Sequence, residues 1–454
     1  MRYRQRIAHP LRQLPHGRII QLSPPEILLL GFALLSGIGT LLLWLPVSAS
    51  DPLSWHEALF TATSAVTVTG LSVVKAADLT LFGQWVLLCL IQVGGLGFMT
   101  FAALTLALMG MRLPLYQRNL VKESLNHTSF GELMSLVRLV IAFALIAEAI
   151  GTALLALSWV PQYGLQRGLW VSFFHAVSAF NNAGFSVWPD SLTDHVANPL
   201  INVVVSALFI VGGLGFTVIG ELLEWRRGRS LSLHARIVLH ATLWLSLAGM
   251  AAMLLLEWDN SATLGALDGL GAKLQAAWFQ AVTPRTAGFN TLDTGSLTDP
   301  MTLLTMLLMF IGAGSGSTAS GIKVTTFVVL LLVARAFLRS NAQPVVFGRS
   351  IPQETVIKAV AVALAGMLLI FTCLFVLTMT EPGKPFLDLA FETVSAFGTV
   401  GLSRGVTGEL SMPGQLALIV TMLLGRVGPL SLGYFMAARR QRGLKYARGS
   451  VQIG

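Results

Sequence analysis

Eight long apolar runs, at about 26–47, 81–109, 134–159, 199–224, 236–256, 300–334, 357–379 and 413–437, divide the chain at nearly regular intervals. Each is long enough, at 1.5 Å per helical residue, to cross the roughly 30 Å of a bilayer's hydrocarbon. Between the first and second run of each successive pair lies a shorter amphipathic stretch of 11–14 residues: Trp55–Val66, Gly168–Phe180, Lys273–Thr283 and Pro385–Gly398. These are too short to span, and their pattern predicts re-entrant helices that enter the membrane and turn back.

Every short stretch ends in a polar, glycine-containing turn. The turns read Thr67-Val68-Thr69-Gly70-Leu71, Asn181-Asn182-Ala183-Gly184-Phe185, Arg285-Thr286-Ala287-Gly288-Phe289 and Gly398-Thr399-Val400-Gly401-Leu402. Their glycines lie 114, 104 and 113 residues apart, and each is followed 24 to 28 residues later by another, at Gly94, Gly212, Gly312 and Gly425. Two of the following runs share the string VGGLGF, at Val93–Phe98 and Val211–Phe216. Internal repetition of this kind defines a unit, here span, short helix, glycine turn, span, used four times in parallel orientation. The expected architecture is an all-α integral membrane protein of eight full spans, its four pseudo-repeats arranged around one central pore. Its divisions are a basic tail at 1–25, repeats at 26–110, 111–226, 227–340 and 341–438, and a second tail at 439–454.

Composition narrows the function. Of 454 residues only 11% are charged and 54% are apolar, against about a quarter charged in soluble domains. A soluble multidomain enzyme and a nucleic-acid binder are excluded, and the net charge of +9 is read by its position relative to the membrane. With the N-terminus inside, 21 of the 30 basic residues fall on the cytoplasmic side and six outside. The inside set includes Arg2, Arg112, Arg118, Lys122, Arg227, Arg335 and Arg439, so the positive-inside rule places both termini in the cytoplasm. Fourteen acidic residues face outward, enough to concentrate cations there. The first apolar run is longer than the apolar region of a signal peptide and reads as a retained anchor. The two cysteines, Cys89 and Cys373, read as packing residues.

Non-helical backbone survives at membrane depth only where it is buried in protein or lines water. Four glycine turns converging on one axis would present carbonyl oxygens able to replace the hydration shell of a cation. Glycine permits the positive φ this requires, and the short helices aim their partly negative C-terminal ends at the same place. The turns TVTGL, FNNAGF, RTAGF and TVGL, each between two spans, resemble those of the Trk/Ktr/HKT superfamily of potassium transport subunits, and the match covers nearly the whole chain. The eight-span form resembles the Ktr-type bacterial membrane subunit.

The resemblance implies a potassium filter made of Thr67, Val68, Thr69, Gly70, Asn182, Ala183, Gly184, Thr286, Ala287, Gly288, Thr399, Val400 and Gly401. A glycine rather than serine at Gly70 implies preference for K+ over Na+. The resemblance also implies an inner-membrane homodimer in contact with lipid, docked on a cytoplasmic nucleotide-binding regulatory ring of RCK type. Uptake would be stimulated by Na+, with no cofactor bound by this chain itself.

The sixth run is interrupted by Gly312-Ala313-Gly314-Ser315-Gly316-Ser317-Thr318-Ala319-Ser320-Gly321. At about 1 kcal/mol per helical glycine, this stretch should unwind. In the family the corresponding stretch is an intramembrane gating loop, which makes Gly312, Gly314, Gly316, Gly321, Lys323 and Arg426 the gate candidates, although small residues also serve tight helix packing. Charges inside a span are costly and mark function, but Lys323 is also placed to snorkel. The near P-loop at Gly316–Lys323 fails because Ile322 separates its Gly from its Lys, and the Gly312-Ala313-Gly314 string because no strand precedes it and no ribose-binding acid follows.

Glu148, deep in the third run, reads either as a coupling carboxylate or as a buried structural one. Glu392, Asn181 and Asn182 read as braces and His175 as a packed neutral imidazole. No catalytic constellation is present, so the chain is not read as an enzyme. The alternative to a channel-like subunit is a proton- or sodium-coupled carrier using Glu148.

Overall fold

The computed structural model describes residues 24–108, 130–226, 228–340 and 343–428. The basic tails, Arg112, Arg118, Lys122 and Arg227 lie outside the described residues. Fourteen helices are present among those described. In chain order they are α1 (Pro24–Leu43), α2 (Trp55–Val66), α3 (Leu81–Leu108), α4 (Phe130–Tyr163), α5 (Leu165–Phe180), α6 (Pro199–Leu214) and α7 (Phe216–Trp225). There follow α8 (Leu233–Leu256), α9 (Leu270–Val282), α10 (Asp299–Phe310), α11 (Val324–Leu338), α12 (Gln353–Thr380), α13 (Phe386–Gly398) and α14 (Met412–Val427). A two-residue-per-strand hairpin, β1 (Val345–Val346) and β2 (Arg349–Ser350), turns through Phe347 and Gly348, both at positive φ as a primed turn demands.

Among the described residues, four helices are long and apolar enough to cross a membrane, and a fifth span results if α6 and α7 count as one. The chain is a multi-pass membrane protein. Its long helices are apolar on the outside. On α12, Ala359, Ala363, Gly366, Cys373 and Leu377 form the buried stripe, whereas Leu364, Leu368, Phe371 and Phe375 are exposed. This is the helical period with lipid, not water, on the outer face. Cys89 also sits exposed on α3, so the expectation that it packs inside is corrected.

The core lies on the short helices α2, α5, α9 and α13. Phe60, Phe174 and Phe391, each ten residues before a turn glycine, are fully buried, and so are Phe180, Phe279 and Phe397. Local signals start these helices and the spans beside them. Ser54 and Glu57 form a capping box at α2. Asn198 caps α6 with Pro199 in its first turn. Two spans begin on carboxylates from the span before them: Glu257 accepts from the Thr298 amide at 2.9 Å, and Glu381 from the Ser411 amide at 3.0 Å. Both glutamates sit one residue past their own helices, α8 and α12, so repeats three and four share the device.

Two of the eight apolar runs are broken, one against expectation and one as expected. The run at 199–224 bends by 99° at Gly215, between α6 and α7, a break not legible in its uninterrupted hydropathy. The run at 300–334 is α10 and α11 separated by the non-helical segment 311–323, as its glycine content predicts.

Candidate functional site

The four glycine turns lie side by side. A Cβ built on Gly70 would come within 2.4 Å of the Ala183 carbonyl oxygen, and one on Gly184 within 2.9 Å of Gly288 Cα. One on Gly288 would meet the Val400 carbonyl at 2.2 Å, and one on Gly401 the Thr69 carbonyl at 2.3 Å. The contacts run from the first turn to the second, third, fourth and back to the first, closing a ring. No side chain fits at any of these positions.

The backbone of all four follows one rule. Val68, Asn182, Thr286 and Thr399 have φ of 54°, 58°, 78° and 47°, and the glycines two residues on have 87°, 67°, 78° and 92°. The residue between, Thr69, Ala183, Ala287 or Val400, is not left-handed. Left-handed backbone costs a non-glycine residue about 1–2 kcal/mol, so four such residues in register mark an arrangement held by its surroundings.

Those surroundings are partly backbone and partly hydroxyl. In the first, second and fourth turns, an amide reaches five residues back into its helix: Thr69 to Ser64 O at 2.8 Å, Ala183 to Ser178 O at 2.8 Å, Val400 to Ser395 O at 2.9 Å. In the third, Pro284 stands where the others have Val66, Phe180 and Phe397. There α9 ends at Val282 and Ala287 bonds to Thr283 O at 2.9 Å instead. Ser178 Oγ donates to Phe185 O at 2.8 Å, Thr283 Oγ1 to Phe289 O at 2.5 Å, and Ser395 Oγ accepts from the Gly401 amide at 3.1 Å. These braces escaped the sequence reading, although a serine six residues before the glycine in three of four repeats is a visible signal.

The glycines of the following spans make room for the short helices. A Cβ on Gly94, Gly212 or Gly425 would meet the carbonyl of Val66, Phe180 or Phe397 at 2.0, 2.0 and 2.2 Å. Gly312 does not do this; it packs on Ser320 O within the segment 311–323.

That segment, which carries the gate candidates, folds back on itself and onto the α6–α7 break. Gly312 N donates to Ile322 O (2.8 Å), Gly314 N to Gly213 O (2.8 Å) and Val324 N to Ala313 O (3.0 Å), while Phe216 N donates to Gly316 O (3.0 Å). Gly316 and Gly321 take φ of 69° and 70°. Thr318 Oγ1 lies 3.0 Å from Asn182 Nδ2, which ties the segment to the second turn.

Arg426 is 9% exposed and forms no ion pair among the described residues. Its guanidinium donates to Thr318 O, to Ser320 Oγ at 3.2 Å and to Gly94 O at 2.7 Å. Lys323 does not reach outward: its ammonium donates to Ala319 O at 2.6 Å. A second buried guanidinium, Arg285 beside the third turn, donates to Ser246 Oγ at 2.6 Å.

Glu148 faces the second turn, with both oxygens accepting from Gln92 Nε2 at 2.9 and 3.1 Å. Glu392 accepts from Ser403 Oγ, from Thr407 Oγ1 at 2.7 Å and from the Arg404 amide at 3.3 Å, holding the strand after the fourth turn. His175 is fully buried between Val171 O and Ser186 Oγ, both at 2.9 Å. Among the described residues there is no cluster of histidine, cysteine and carboxylate groups fit to hold a metal ion.

Residues 27–441 match a family of cation transport proteins described as TrkH. The chain is 48% identical to the Ktr system potassium uptake protein B of Bacillus subtilis, over 96% of this chain and 98% of that one. It is 37% identical to the potassium/sodium uptake protein NtpJ of Enterococcus hirae, over 96% and 98% of the two chains. Its fold is similar to that of the potassium transporter TrkH from Vibrio parahaemolyticus, with a TM-score of 0.72 over 94% of this chain and 88% of that one, at 20% identity.

Proposed function

That the chain belongs to the TrkH family of cation transport proteins is the premise from which we propose its function: the pore-forming subunit of a bacterial potassium uptake system. One observation carries the reading, the closed ring of four turns with φ of alternating sign. Backbone of alternating hand turns successive carbonyls to the same side, and four such segments around one axis form a cage of oxygens for a dehydrated cation. The carbonyls of Thr67 to Gly70, Asn182 to Gly184, Thr286 to Gly288 and Thr399 to Gly401 form the K+ filter of this proposal. The four repeats, eight spans counting both broken ones, surround a single pore.

The segment from Gly312 to Lys323 is the proposed gate. It lies against the second turn and is latched by Arg426, whose uncompensated charge also opposes cation passage. The names of the relatives support K+ as the substrate and a system of more than one component, and that of the Enterococcus protein supports a role for Na+. The full proposal is an inner-membrane homodimer, both termini cytoplasmic, controlled by a nucleotide-binding ring and stimulated by Na+. The coupled-carrier reading is the weaker one, because Glu148 is only 3% exposed and tied to two amides.

The test is growth of a potassium-uptake-deficient bacterium on limiting K+, with the chain expressed alongside a regulatory subunit. Wild type restores growth, while Gly401→Ser, which puts a Cβ and hydroxyl where Thr69 O already lies 2.3 Å from the built Cβ, loses preference for K+ over Na+. No rescue from a well-inserted wild-type chain overturns the proposal.

A further inference from the structure

Among the four turns, the second alone places two side chains of its own in long-range side-chain hydrogen bonds. Asn182 reaches Thr318 on one side, and Asn181 reaches the opposite way, where the structure holds a closed polar triad inside apolar helices. Asn181 Nδ2 donates to Gln92 Oε1 at 2.7 Å and lies 3.2 Å from Glu148 Oε1. Gln92 Nε2 in turn donates to both oxygens of Glu148. Gln92 belongs to α3 of the first repeat, Glu148 to α4 of the second, and Asn181 is the residue directly before the left-handed Asn182. The triad therefore pins one strand of the ring to helices from two repeats.

The surrounding packing is cut to fit it. Asn181 is fully buried, and a Cβ on Gly95 would lie 2.1 Å from its Oδ1, so the glycine at 95 is what admits the amide. The corresponding places in the other turns hold Thr67, Arg285 and Gly398. None of these meets a carboxylate: Thr67 bonds to Thr69 and its own helix, and Arg285 to Ser246. A carboxylate buried in hydrocarbon is expensive, and one spent on orienting an amide is retained for what the amide does.

We infer that Glu148, acting through Gln92 and Asn181, is a positioning residue for the second turn that sets the ring's discrimination between K+ and Na+, and is not a coupling group. This rests on the proposed filter. An outer residue that orients groups around a cation typically changes affinity by about 10–100-fold when removed. Glu148→Leu, which leaves the Gln92 amide without its acceptor and Asn181 held only by Gln92 and Val177 O, raises the KM for K+ about tenfold and lowers K+ over Na+ preference by a similar factor, while the maximal rate stays within about twofold. Glu148→Gln keeps one acceptor at the same length and falls between Glu148→Leu and wild type.

The measurement is K+ and Na+ uptake into proteoliposomes holding the full chain, with Gly401→Ser as the reference for the filter itself. Wild-type KM and selectivity in both Glu148 variants overturn the inference. So does complete loss of uptake in Glu148→Gln at normal insertion, the signature of a carboxylate that must carry a proton or sodium ion. Unaltered selectivity in Gly401→Ser is a different failure, that of the filter reading on which the inference stands.

Discussion

The hexapeptide Val-Gly-Gly-Leu-Gly-Phe occurs twice and takes two structures. At Val93–Phe98 it lies inside α3, which runs unbroken from Leu81 to Leu108; at Val211–Phe216 it contains the 99° break between α6 and α7, with Gly215 at φ 96°. Identical local sequence carries identical propensity, so partners in space decide. In the first copy, the carbonyls of Gly94 and Gly95 accept a side chain, Arg426, at 2.7 and 3.4 Å. In the second, the equivalent carbonyls are taken by the segment 311–323: Gly212 O by the Thr318 hydroxyl and amide, at 3.1 and 3.4 Å, and Gly213 O by Gly314 N at 2.8 Å. Phe216 N, which would have continued the helix, turns to Gly316 O. The segment 311–323 replaces intrahelical bonds with bonds to itself.

The fourth repeat is a third version of the same place. Gly425, Arg426 and Gly428 correspond to Gly94, Gly95 and Gly97, and Gly428 takes φ 89° with ψ 140°, close to the 96° and 139° of Gly215. Only here is the middle glycine replaced by arginine, and that arginine fastens the first copy to the segment that breaks the second.

The largest effect is expected at the break. Gly215→Ala combines a left-handed φ with a Cβ 2.4 Å from Ser315 O, backbone that has no flexible end to yield. The bend and the segment seated on it should not form together. Thermal unfolding in detergent should drop by several degrees and K+ uptake should be lost. Wild-type stability and uptake in this variant would mean that the two copies are interchangeable.

Arg426→Ala comes next. It removes charge-assisted bonds to Thr318, Ser320 and Gly94, each worth about 1.5–3 kcal/mol. If the segment is the gate, its closed position loses its latch, and uptake without the regulatory subunit should rise at least fivefold. A fall in uptake with unchanged expression would assign Arg426 to conduction or assembly instead. Arg426→Lys keeps the charge but not the fork that reaches Thr318 and Gly94 together, and should resemble the alanine variant more than wild type.

Thr318→Val is milder. It removes the hydroxyl that joins Asn182 to Gly212 and Phe180 and leaves the Asn182 amide buried, a penalty of about 1–3 kcal/mol. If the four turns are the filter and the segment is the gate, closure should persist while K+ over Na+ preference falls a few-fold, because the second turn loses one of its two anchors. Selectivity unchanged to within error would separate segment from turn.

What the sequence made legible follows from the same contrast. Short helices, turn glycines and the glycine-rich interruption were readable because each depends on local chemistry: too few residues to span, a position needing positive φ, a helix that cannot tolerate so many glycines. The helix ends agree within about four residues, except that the expected limit of the last run at 437 lies outside the described residues; α9, closed early by Pro284, ends one residue before its expected limit. The break at Gly215 was not readable, because the residues that cause it, Gly314, Gly316 and Thr318, lie about a hundred positions later. The triad at Glu148 was half readable. A lone glutamate in an apolar run is conspicuous, but Gln92 and Asn181 become its partners only when the first two repeats pack. The bond from Lys323 back to Ala319 was not readable either, since a lysine at a helix start can fold back onto the loop before it.

The smallest expected effect tests the comparison from its quiet side. Gly97 is the counterpart of Gly215 and Gly428, but it lies in continuous helix, and a Cβ there would meet nothing within 4 Å among the described residues. Among those residues its glycine is needed by no bend and no close approach. Gly97→Ala should therefore gain the ordinary helical preference of alanine, about 0.5–1 kcal/mol, and raise the unfolding temperature slightly while uptake stays at the wild-type level. A loss of uptake in this variant would mean that α3 must bend at Gly97 during transport as α6 and α7 do at rest. The two copies of the hexapeptide would then be two states of one hinge. Retained uptake fixes the difference between them as permanent, built by the segment whose backbone bonds to the second copy.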